Sequence, residues 1–256
     1  MMTAPPFTRR QLLALAALGT LPAGLAFSRP APARRAAGGR PVCVVVELFT
    51  SQGCSACPPA DALLGKLCRL PGVLGISYNV DIWDYLGWRD TLARPEFTRR
   101  HHLYARAWGQ ESVYTPQMVV NGRRCPLEEA PGRVARLLEE GGKEEGLVVP
   151  VRLRRRHKAL LIDVGGAPPT LGERKATLWL VTMKRRHRQR IGEGENAGRD
   201  IVYHHVARTI TPAGMWRGAP LRLELPNEHV MGEQADSCAV LLQLRGHGPI
   251  VGAAML

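Results

Sequence analysis

One stretch decides the fold: residues 42–60 are VCVVVELFTSQGCSACPPA. Its first part, residues 42–49, is short, apolar and rich in β-branched side chains, which predicts a strand buried on both faces. A polar turn breaks this run, and apolar residues then recur three and four positions apart, as in a helix: Ala60, Leu63, Leu64, Leu67 and Leu70. Cys54 and Cys57 therefore lie between a buried strand and a helix.

Outward from this stretch, residues 41–143 alternate between strand and helix patterns, which predicts an α/β domain. The further elements are strands over residues 73–80 and 117–120, helices over residues 95–108 and 131–140, and a hairpin turn at Asn121-Gly122. Four basic residues of the helix at 95–108 are expected to face water: Arg99, Arg100, His101 and Arg106.

The pattern changes in residues 144–256, where short strand patterns follow one another without a helical period. The predicted strands cover residues 147–155, 159–164, 176–183, 201–210, 221–225, 238–244 and 250–255. Strands at this spacing indicate a mostly antiparallel, sandwich-like β module after the α/β domain. The basic run at residues 184–190 is predicted to be a solvated hairpin loop.

The N-terminal residues indicate export. Residues 1–26 contain no acidic residue, and Arg9-Arg10 precede an apolar run that Gly and Pro interrupt, which predicts a signal peptide resembling the twin-arginine type. An ordinary secretory signal is the alternative. Residues 27–40 are predicted to be a flexible leader. No later apolar run is long enough to cross a bilayer, so we expect a periplasmic or secreted protein with no transmembrane segment in its mature chain.

The pair Cys54 and Cys57 has the spacing and context of a reactive thiol pair. Two intervening residues allow the two sulfurs to bond across a tight turn. The positive end of the helix dipole stabilises a thiolate at a helix N-terminus. Pro59 disfavours helical geometry at Pro58, so the regular helix is predicted to begin near Pro59.

A second feature is the dipeptide Thr115-Pro116, directly before the strand at residues 117–120. In thioredoxin-like folds a cis-proline at this point packs beside the CxxC pair and leaves the preceding backbone free to pair with substrate. The alternative is an ordinary trans-proline that opens an edge strand. On the first interpretation Thr115 and Pro116 belong to the catalytic site with both cysteines.

Five blocks of the sequence resemble the domain of unknown function 1223 family, exported bacterial proteins with a thioredoxin-like fold. The blocks cover residues 45–61, 81–90, 113–122, 195–199 and 214–218. The resemblance runs from about Val42 to the C-terminus and implies the same fold for this chain. One position departs from the pattern, since Asn79 stands where we expect a His.

Aromatic and acidic side chains supply further candidates. Trp83, Tyr85 and Trp88 follow the second strand, and Tyr114 precedes Thr115. They are predicted to form a substrate platform, and the alternative is that the cluster after the second strand only fills a loop. A buried carboxylate near the CxxC pair can take the proton of the resolving thiol: the candidates are Glu47 and Asp81.

The charge, the remaining cysteines and the histidine pairs bear on three kinds of function: nucleic-acid binding, disulfide bonding and metal binding. Lys and Arg outnumber Asp and Glu by 35 to 22, but basic and aromatic residues are not interleaved as nucleic-acid binding requires, so we expect no nucleic-acid partner. The remaining cysteines could be buried thiols or form disulfides: Cys43, Cys68, Cys125 and Cys238. The adjacent His pairs diverge, and we expect no metal site from them.

These features favour an exported thiol–disulfide oxidoreductase without a cofactor. Cys54 would attack a disulfide and Cys57 would resolve the mixed disulfide. Its partners would be thiols or disulfides of proteins or small molecules, with a membrane electron donor or acceptor. One alternative is a Cu(I) carrier with a third ligand from Cys125 or a His. Another is a non-catalytic interaction protein with a structural Cys54–Cys57 bridge.

Overall fold

The structure is a computed structural model that describes residues 40–140, 145–172, 174–227 and 234–256. The predicted signal peptide and all of the predicted leader except Arg40 lie outside these residues. The strands are β1 (Arg40–Pro41), β2 (Val44–Thr50), β3 (Val73–Asn79), β4 (Gln117–Val120), β5 (Arg123–Cys125), β6 (Val151–Arg155), β7 (Ala159–Val164), β8 (Ala176–Arg190), β9 (Asp200–Trp216), β10 (Leu221–Pro226), β11 (Ser237–Leu244) and β12 (Ile250–Met255). The α-helices of this part of the chain are α1 (Cys57–Leu67), α2 (Pro95–Ala107) and α3 (Ala130–Glu140).

A nine-stranded sheet in the order β1-β12-β11-β8-β9-β3-β2-β4-β5 organises the fold. Among its described strands, β2 and β3 run parallel, as do β3 and β9, and the other neighbours are antiparallel. The result is a mixed α/β fold with a large, mostly antiparallel sheet, as the sequence predicted at this level. The join between β3 and β9, where Ser77 lies opposite Val206, makes both regions of the chain parts of one sheet. A boundary near residues 143–144 falls outside the described residues and stays a prediction.

Each face of the large sheet is covered by a different layer. Around β2, one face packs against α1 and α3 through Val46, Leu64 and Val134, and the other packs against α2 through Phe49 and Tyr104. At the other end, a small sheet in the order β10-β7-β6 covers β8, β11 and β12 through an apolar cluster that we call the sandwich core. Its fully buried members include Ile162, Leu178, Val240 and Leu242. No described helix is long and apolar enough to cross a membrane.

One sequence expectation about secondary structure and one about exposure are wrong, although residues 184–190 are mostly exposed, as expected. Residues 184–190 are not a loop, because β8 continues to Arg190 and pairs with β9 as far as Asp200. A long partner strand thus imposes strand structure on a run whose polar composition favoured a loop. On α2, Arg99 and Arg106 are exposed as expected, but Arg100 and His101 are buried. Arg100 turns inward because Glu47 neutralises it there, with 2.8 Å between Nη2 and Oε1.

Candidate functional site

The turn after β2 places the two cysteines at the start of α1. The helix begins at Cys57, two residues earlier than predicted, with Ala56 in helical geometry before it. Cys54 and Cys57 form a disulfide with a Cα–Cα distance of 5.4 Å. Cys57 is fully buried and Cys54 is 6% exposed, so Cys54 is the more accessible residue of the pair.

Thr115 and Pro116 lie against this turn. Their peptide bond is cis, as the sequence predicted, and the carbonyl oxygen of Thr115 is 3.7 Å from Sγ of Cys54. The Thr115 hydroxyl accepts a hydrogen bond of 2.7 Å from Nε1 of Trp83. Backbone and side chain of Thr115 thus connect the cysteine pair to the aromatic cluster.

Three of the four predicted platform residues lie at the surface around this contact. The rings of Trp83 and Tyr85 are 6.2 Å apart, and Tyr85 is 75% exposed. Tyr114, the neighbour of Thr115, is 46% exposed. Trp83 also lies against the backbone of Gly53, where an added Cβ would be 3.2 Å from it. A side chain at Gly53 would therefore require Trp83 to shift by a few tenths of an ångström. The exposed aromatic rings form a rim beside Cys54.

Trp88, the fourth candidate, is turned into the structure. Its Nε1 donates a 2.9 Å hydrogen bond to Oε1 of the buried Gln52. The Trp88 ring lies against Gly192, and the Cβ of Trp88 lies against Gly194. Both glycines belong to the segment between β8 and β9, which we call the β8–β9 tip (residues 191–199). Trp88 thereby connects the turn before Cys54 to the β8–β9 tip.

Two buried carboxyl groups lie near the cysteine turn. Asp61 follows Cys57 by one helical turn on the same buried face of α1, and neither of its oxygens has a hydrogen-bond partner of normal geometry among the described residues. Burial raises the pKa of Asp61 well above its usual range, and the nearby Thr50 hydroxyl opposes that shift only in part.

Asp90 is the second group. Its Oδ2 accepts hydrogen bonds from the backbone N–H of Gln52 at 2.8 Å and from Nδ2 of Asn79 at 2.9 Å. Burial outweighs these bonds and raises the pKa of Asp90 to about 6. Asn79 therefore acts here as a donor that holds Asp90.

The carboxylates named from the sequence as proton acceptors are used elsewhere. Glu47 points to the α2 side of the sheet, where it pairs with Arg100 and accepts a 2.6 Å hydrogen bond from the Tyr104 hydroxyl. Asp81 is exposed and accepts a hydrogen bond from the Thr98 hydroxyl. Alternation along β2 separates Glu47 from α1, since successive strand residues face opposite sides. Asp61 was missed, although its spacing from Cys57, Ala60 and Leu64 places it on the inward face.

A residue far along the chain completes the turn. Asn196, in the β8–β9 tip, is fully buried and its Nδ2 donates to the carbonyl oxygens of Gln52 at 2.9 Å and Cys54 at 2.8 Å. The sequence contains no spacing signal for this contact. The only hint was that Asn196 belongs to one of the blocks that resemble the family.

The other cysteines do not join the site. Cys43, Cys68, Cys125 and Cys238 are free thiols, and Sγ of the buried Cys125 contacts its neighbour's carbonyl oxygen, on Pro126. Among the described residues no group of three His, Cys, Asp or Glu side chains is arranged to hold a metal ion.

Fold and site define a mixed α/β protein with a disulfide-bonded CxxC pair at a helix N-terminus. The chain belongs to the family described as protein of unknown function (DUF1223), whose model matches residues 45–243. It is similar to the crystal structure of protein AGR_C_4864 from Agrobacterium tumefaciens, with 37% identity, a TM-score of 0.71, and coverage of 83% of this chain and 93% of that one.

A more distant structure shares the fold alone. HBP35 of Porphyromonas gingivalis is 11% identical with a TM-score of 0.61, and the match covers 85% of this chain and 75% of that one. Among curated proteins, no sequence matches this chain significantly.

Proposed function

We propose that the protein is an exported thiol–disulfide oxidoreductase with a thioredoxin-like site, in which Cys54 is the nucleophile and Cys57 the resolving thiol. The observation that carries the proposal is the position of Cys54. It is the more accessible residue of a cysteine pair at a helix N-terminus, and the carbonyl of Thr115 lies 3.7 Å from its sulfur, beside the exposed Tyr114. A substrate that approaches Cys54 would meet both this backbone carbonyl and an aromatic rim.

The proposed reaction conserves atoms and electrons. The Cys54 thiolate attacks one sulfur of a substrate disulfide, which forms a mixed disulfide and releases the other substrate sulfur as a thiolate. Cys57 then loses its proton and attacks Sγ of Cys54, which releases the second substrate thiolate. The substrate gains two electrons and the protein is left with its Cys54–Cys57 disulfide. A thiol donor, soluble or membrane-bound, returns the pair to the dithiol, and the reverse sequence oxidises a substrate dithiol.

Asp61 supplies a place for the proton of Cys57. It is the buried carboxyl group on the same helix face, one turn from the resolving thiol. Burial raises the pKa of Asp61, and a carboxyl group that can hold a proton there can exchange it with a thiol on the same helix face. We therefore assign proton exchange with Cys57 to Asp61 rather than to Glu47.

The test is to trap the mixed disulfide. Reduced Cys57→Ser protein, incubated with glutathione disulfide and with a disulfide-containing peptide, should accumulate an adduct on Cys54 that mass spectrometry detects. Cys54→Ser should form no adduct at this site. Cys68→Ser, which removes a half-buried free thiol at the opposite end of α1, is the matched control and should react like the unaltered protein. The proposal fails if Cys57→Ser forms no adduct and Cys54 also resists iodoacetamide after reduction.

Export is the second part of the proposal, since disulfide chemistry on substrate proteins belongs to oxidising compartments. It is supported by Arg9-Arg10 before the interrupted apolar run of residues 12–27. A reporter fused after residue 40 should reach the periplasm, and Arg9→Lys with Arg10→Lys should stop it if the twin-arginine route is used. Continued export of the double variant would indicate an ordinary secretory signal, and a reporter that stays inside the cell would refute export.

A further inference from the structure

Asn196 makes the β8–β9 tip part of the cysteine turn. The carboxamide spans more than 140 residues of sequence to donate both of its N–H groups to carbonyl oxygens of Gln52 and Cys54. Both acceptors are carbonyls, so the orientation of the amide is fixed, with its nitrogen toward the turn. Its own oxygen has no hydrogen-bond partner among the described residues.

The tip holds Asn196 in place through its own backbone. The N–H of Ile191 donates to the carbonyl of Arg199 at 2.9 Å, and the N–H of Gly198 donates back to the carbonyl of Ile191 at 2.9 Å. Trp88 lies against Gly192 and Gly194 and also binds Gln52. Hydrogen bonds from two residues, Asn196 and Trp88, thus hold the turn before Cys54.

We propose that Asn196 is a positioning residue that sets the redox equilibrium of the Cys54–Cys57 pair, an inference that rests on the proposed function. The carbonyl oxygen of Cys54 belongs to the same residue as the attacking sulfur, and its partial negative charge disfavours a thiolate there. The amide hydrogens of Asn196 offset that charge at Cys54 and at Gln52.

The direction of the effect follows from which redox state carries charge. The dithiol form contains the Cys54 thiolate, whereas the disulfide form is uncharged. Donors that stabilise the thiolate therefore favour the reduced pair. They make the Cys54–Cys57 disulfide a stronger oxidant. Without Asn196 the equilibrium should shift toward the disulfide.

The measurement is a titration of the pair in glutathione redox buffers, with the fraction reduced read by alkylation and mass spectrometry. Asn196→Ala should move the equilibrium constant toward the disulfide by about tenfold, equivalent to about 30 mV for this two-electron couple. The pH at which alkylation of Cys54 is half-maximal should rise in the same variant. Asp61, Asp90 and the exposed Glu193 and Glu195 are common to both proteins, so their effects cancel in the comparison.

Asn227 offers a matched control for general loss of stability. Its Nδ2 also bridges two carbonyl oxygens, those of Arg156 at 2.9 Å and His157 at 3.3 Å, but it does so beside the small sheet. Asn227→Ala should leave the redox equilibrium and the alkylation profile unchanged. If Asn196→Ala leaves both unchanged as well, Asn196 is only a structural residue and the inference is wrong.

A measurement on the unaltered protein covers the case in which Asn196→Ala does not fold. Coupling is reciprocal, so a tip that favours the reduced pair must itself be more stable when the pair is reduced. Hydrogen exchange at the amides of Ile191 and Gly198 should be slower in the reduced protein than in the oxidised protein. Equal rates would overturn the inference.

The two proposals fail in different ways. If Cys54 of the unaltered protein is unreactive toward disulfides, the proposed function fails whatever Asn196 does. If Cys54 exchanges normally while Asn196→Ala and the hydrogen-exchange rates show no coupling, only the role of Asn196 is lost.

Discussion

The two ends of the large sheet bury different kinds of side chain. Around β2 and the cysteine turn, the interior contains charged and amide side chains in hydrogen-bonded sets, such as Glu47 with Arg100 and Asn79 with Asp90. Under the small sheet, the sandwich core is aliphatic apart from Trp216 and Cys238. Of the buried polar residues that follow residue 144 in the described chain, Asn196 and Gln243 reach back to the first region.

This contrast separates positioning from stabilisation. Burying a polar group is costly unless its hydrogen bonds are satisfied, so a set of satisfied polar groups fixes a single arrangement of the side chains that form it. An apolar core gains its free energy from area removed from water, with little directional demand. At the cysteine end of the sheet, buried hydrogen bonds therefore hold the turn in one geometry. At the other end, the apolar core mainly stabilises the fold. Variants at the cysteine end should therefore change the geometry of the site, whereas variants in the sandwich core should change only the stability of the fold.

The largest effect is expected at the buried ion pair. Arg100 donates from Nε to Glu47 at 2.8 Å and from Nη1 to Gln243 at 3.1 Å, and it is 3% exposed. Arg100→Met leaves the Glu47 carboxylate buried without its partner, which should reduce the free energy of unfolding by about 3–5 kcal/mol. Urea denaturation followed by circular dichroism measures this change.

Arg99→Met is the matched control, because Arg99 is the exposed neighbour on the same helix, and it should change the stability by less than about 0.5 kcal/mol. Combining Arg100→Met with Glu47→Gln should recover part of the loss. A loss below about 1 kcal/mol for Arg100→Met alone would show that the pair does not hold α2 to the sheet.

The second prediction moves to the sandwich core. Ile162 is fully buried between β7 and the large sheet. Ile162→Ala should reduce the free energy of unfolding by about 2–5 kcal/mol, and Ile162→Val by about 0.5–1.5 kcal/mol, because each leaves a cavity of different size. Under conditions where the variants stay folded, the rate of exchange at Cys54 should not change. A slower rate in folded Ile162→Val protein would mean that the scaffold and the site are coupled.

The sequence predicted the apolar parts of the fold better than the buried polar contacts at the cysteine end of the large sheet. Local sequence patterns predicted α1, α2, α3 and most of the strands, because a buried face imposes its own spacing on the residues that form it. The chemistry of the CxxC pair and the neighbouring Thr115-Pro116 could also be predicted, since both are local in sequence. The strand bounds of β7 and β12 were predicted correctly.

The failures involve polar residues whose partners are distant in sequence. Arg100 looked like a surface residue because nothing near it indicated Glu47, 53 positions earlier. The basic run at residues 184–190 looked like a loop because only its pairing with β9 makes it a strand. Asp61 and Asn196 carry no motif of their own. Such contacts depend on the tertiary arrangement, which a local pattern does not specify.

The third prediction uses the pH dependence of stability. Burial raises the pKa of Asp90 to about 6 in the folded protein, whereas the unfolded value is about 3.9. The folded state then binds the proton more tightly, so the stabilisation from Asp90 is complete below about pH 4 and is lost as the pH rises through 6. The change is of the order of 3 kcal/mol. The difference in unfolding free energy between Asp90→Asn and the unaltered protein should therefore shift in favour of the variant between pH 4 and 7.

The comparison with Asp90→Asn is needed because other groups titrate in the same pH range, and their effect on the unfolding free energy has the opposite sign. Burial lowers the pKa of His101 and that of His247 to about 4, so stability from these residues is lost as the pH falls below about 6.5. Their contributions cancel when Asp90→Asn is compared with the unaltered protein at each pH. A difference that stays constant from pH 4 to 7 would show that Asp90 ionises normally and that its burial has no electrostatic cost.

The smallest effect tests whether the cysteine turn behaves as a unit. Trp88→Phe keeps most of the ring but removes the N–H that donates to Oε1 of Gln52, which should cost about 0.5–1.5 kcal/mol. Asn196 holds the same turn from its other side through the carbonyl of Gln52. The double variant Trp88→Phe with Asn196→Ala should therefore deviate from additivity by at least about 0.5 kcal/mol, whereas Trp88→Phe with Ile162→Val should be additive within about that value. Both cycles require only urea denaturation curves. Additivity in both would mean that Trp88 and Asn196 act on the turn independently, and the distinction between a positioned end and a scaffold end of the sheet would then have no energetic basis.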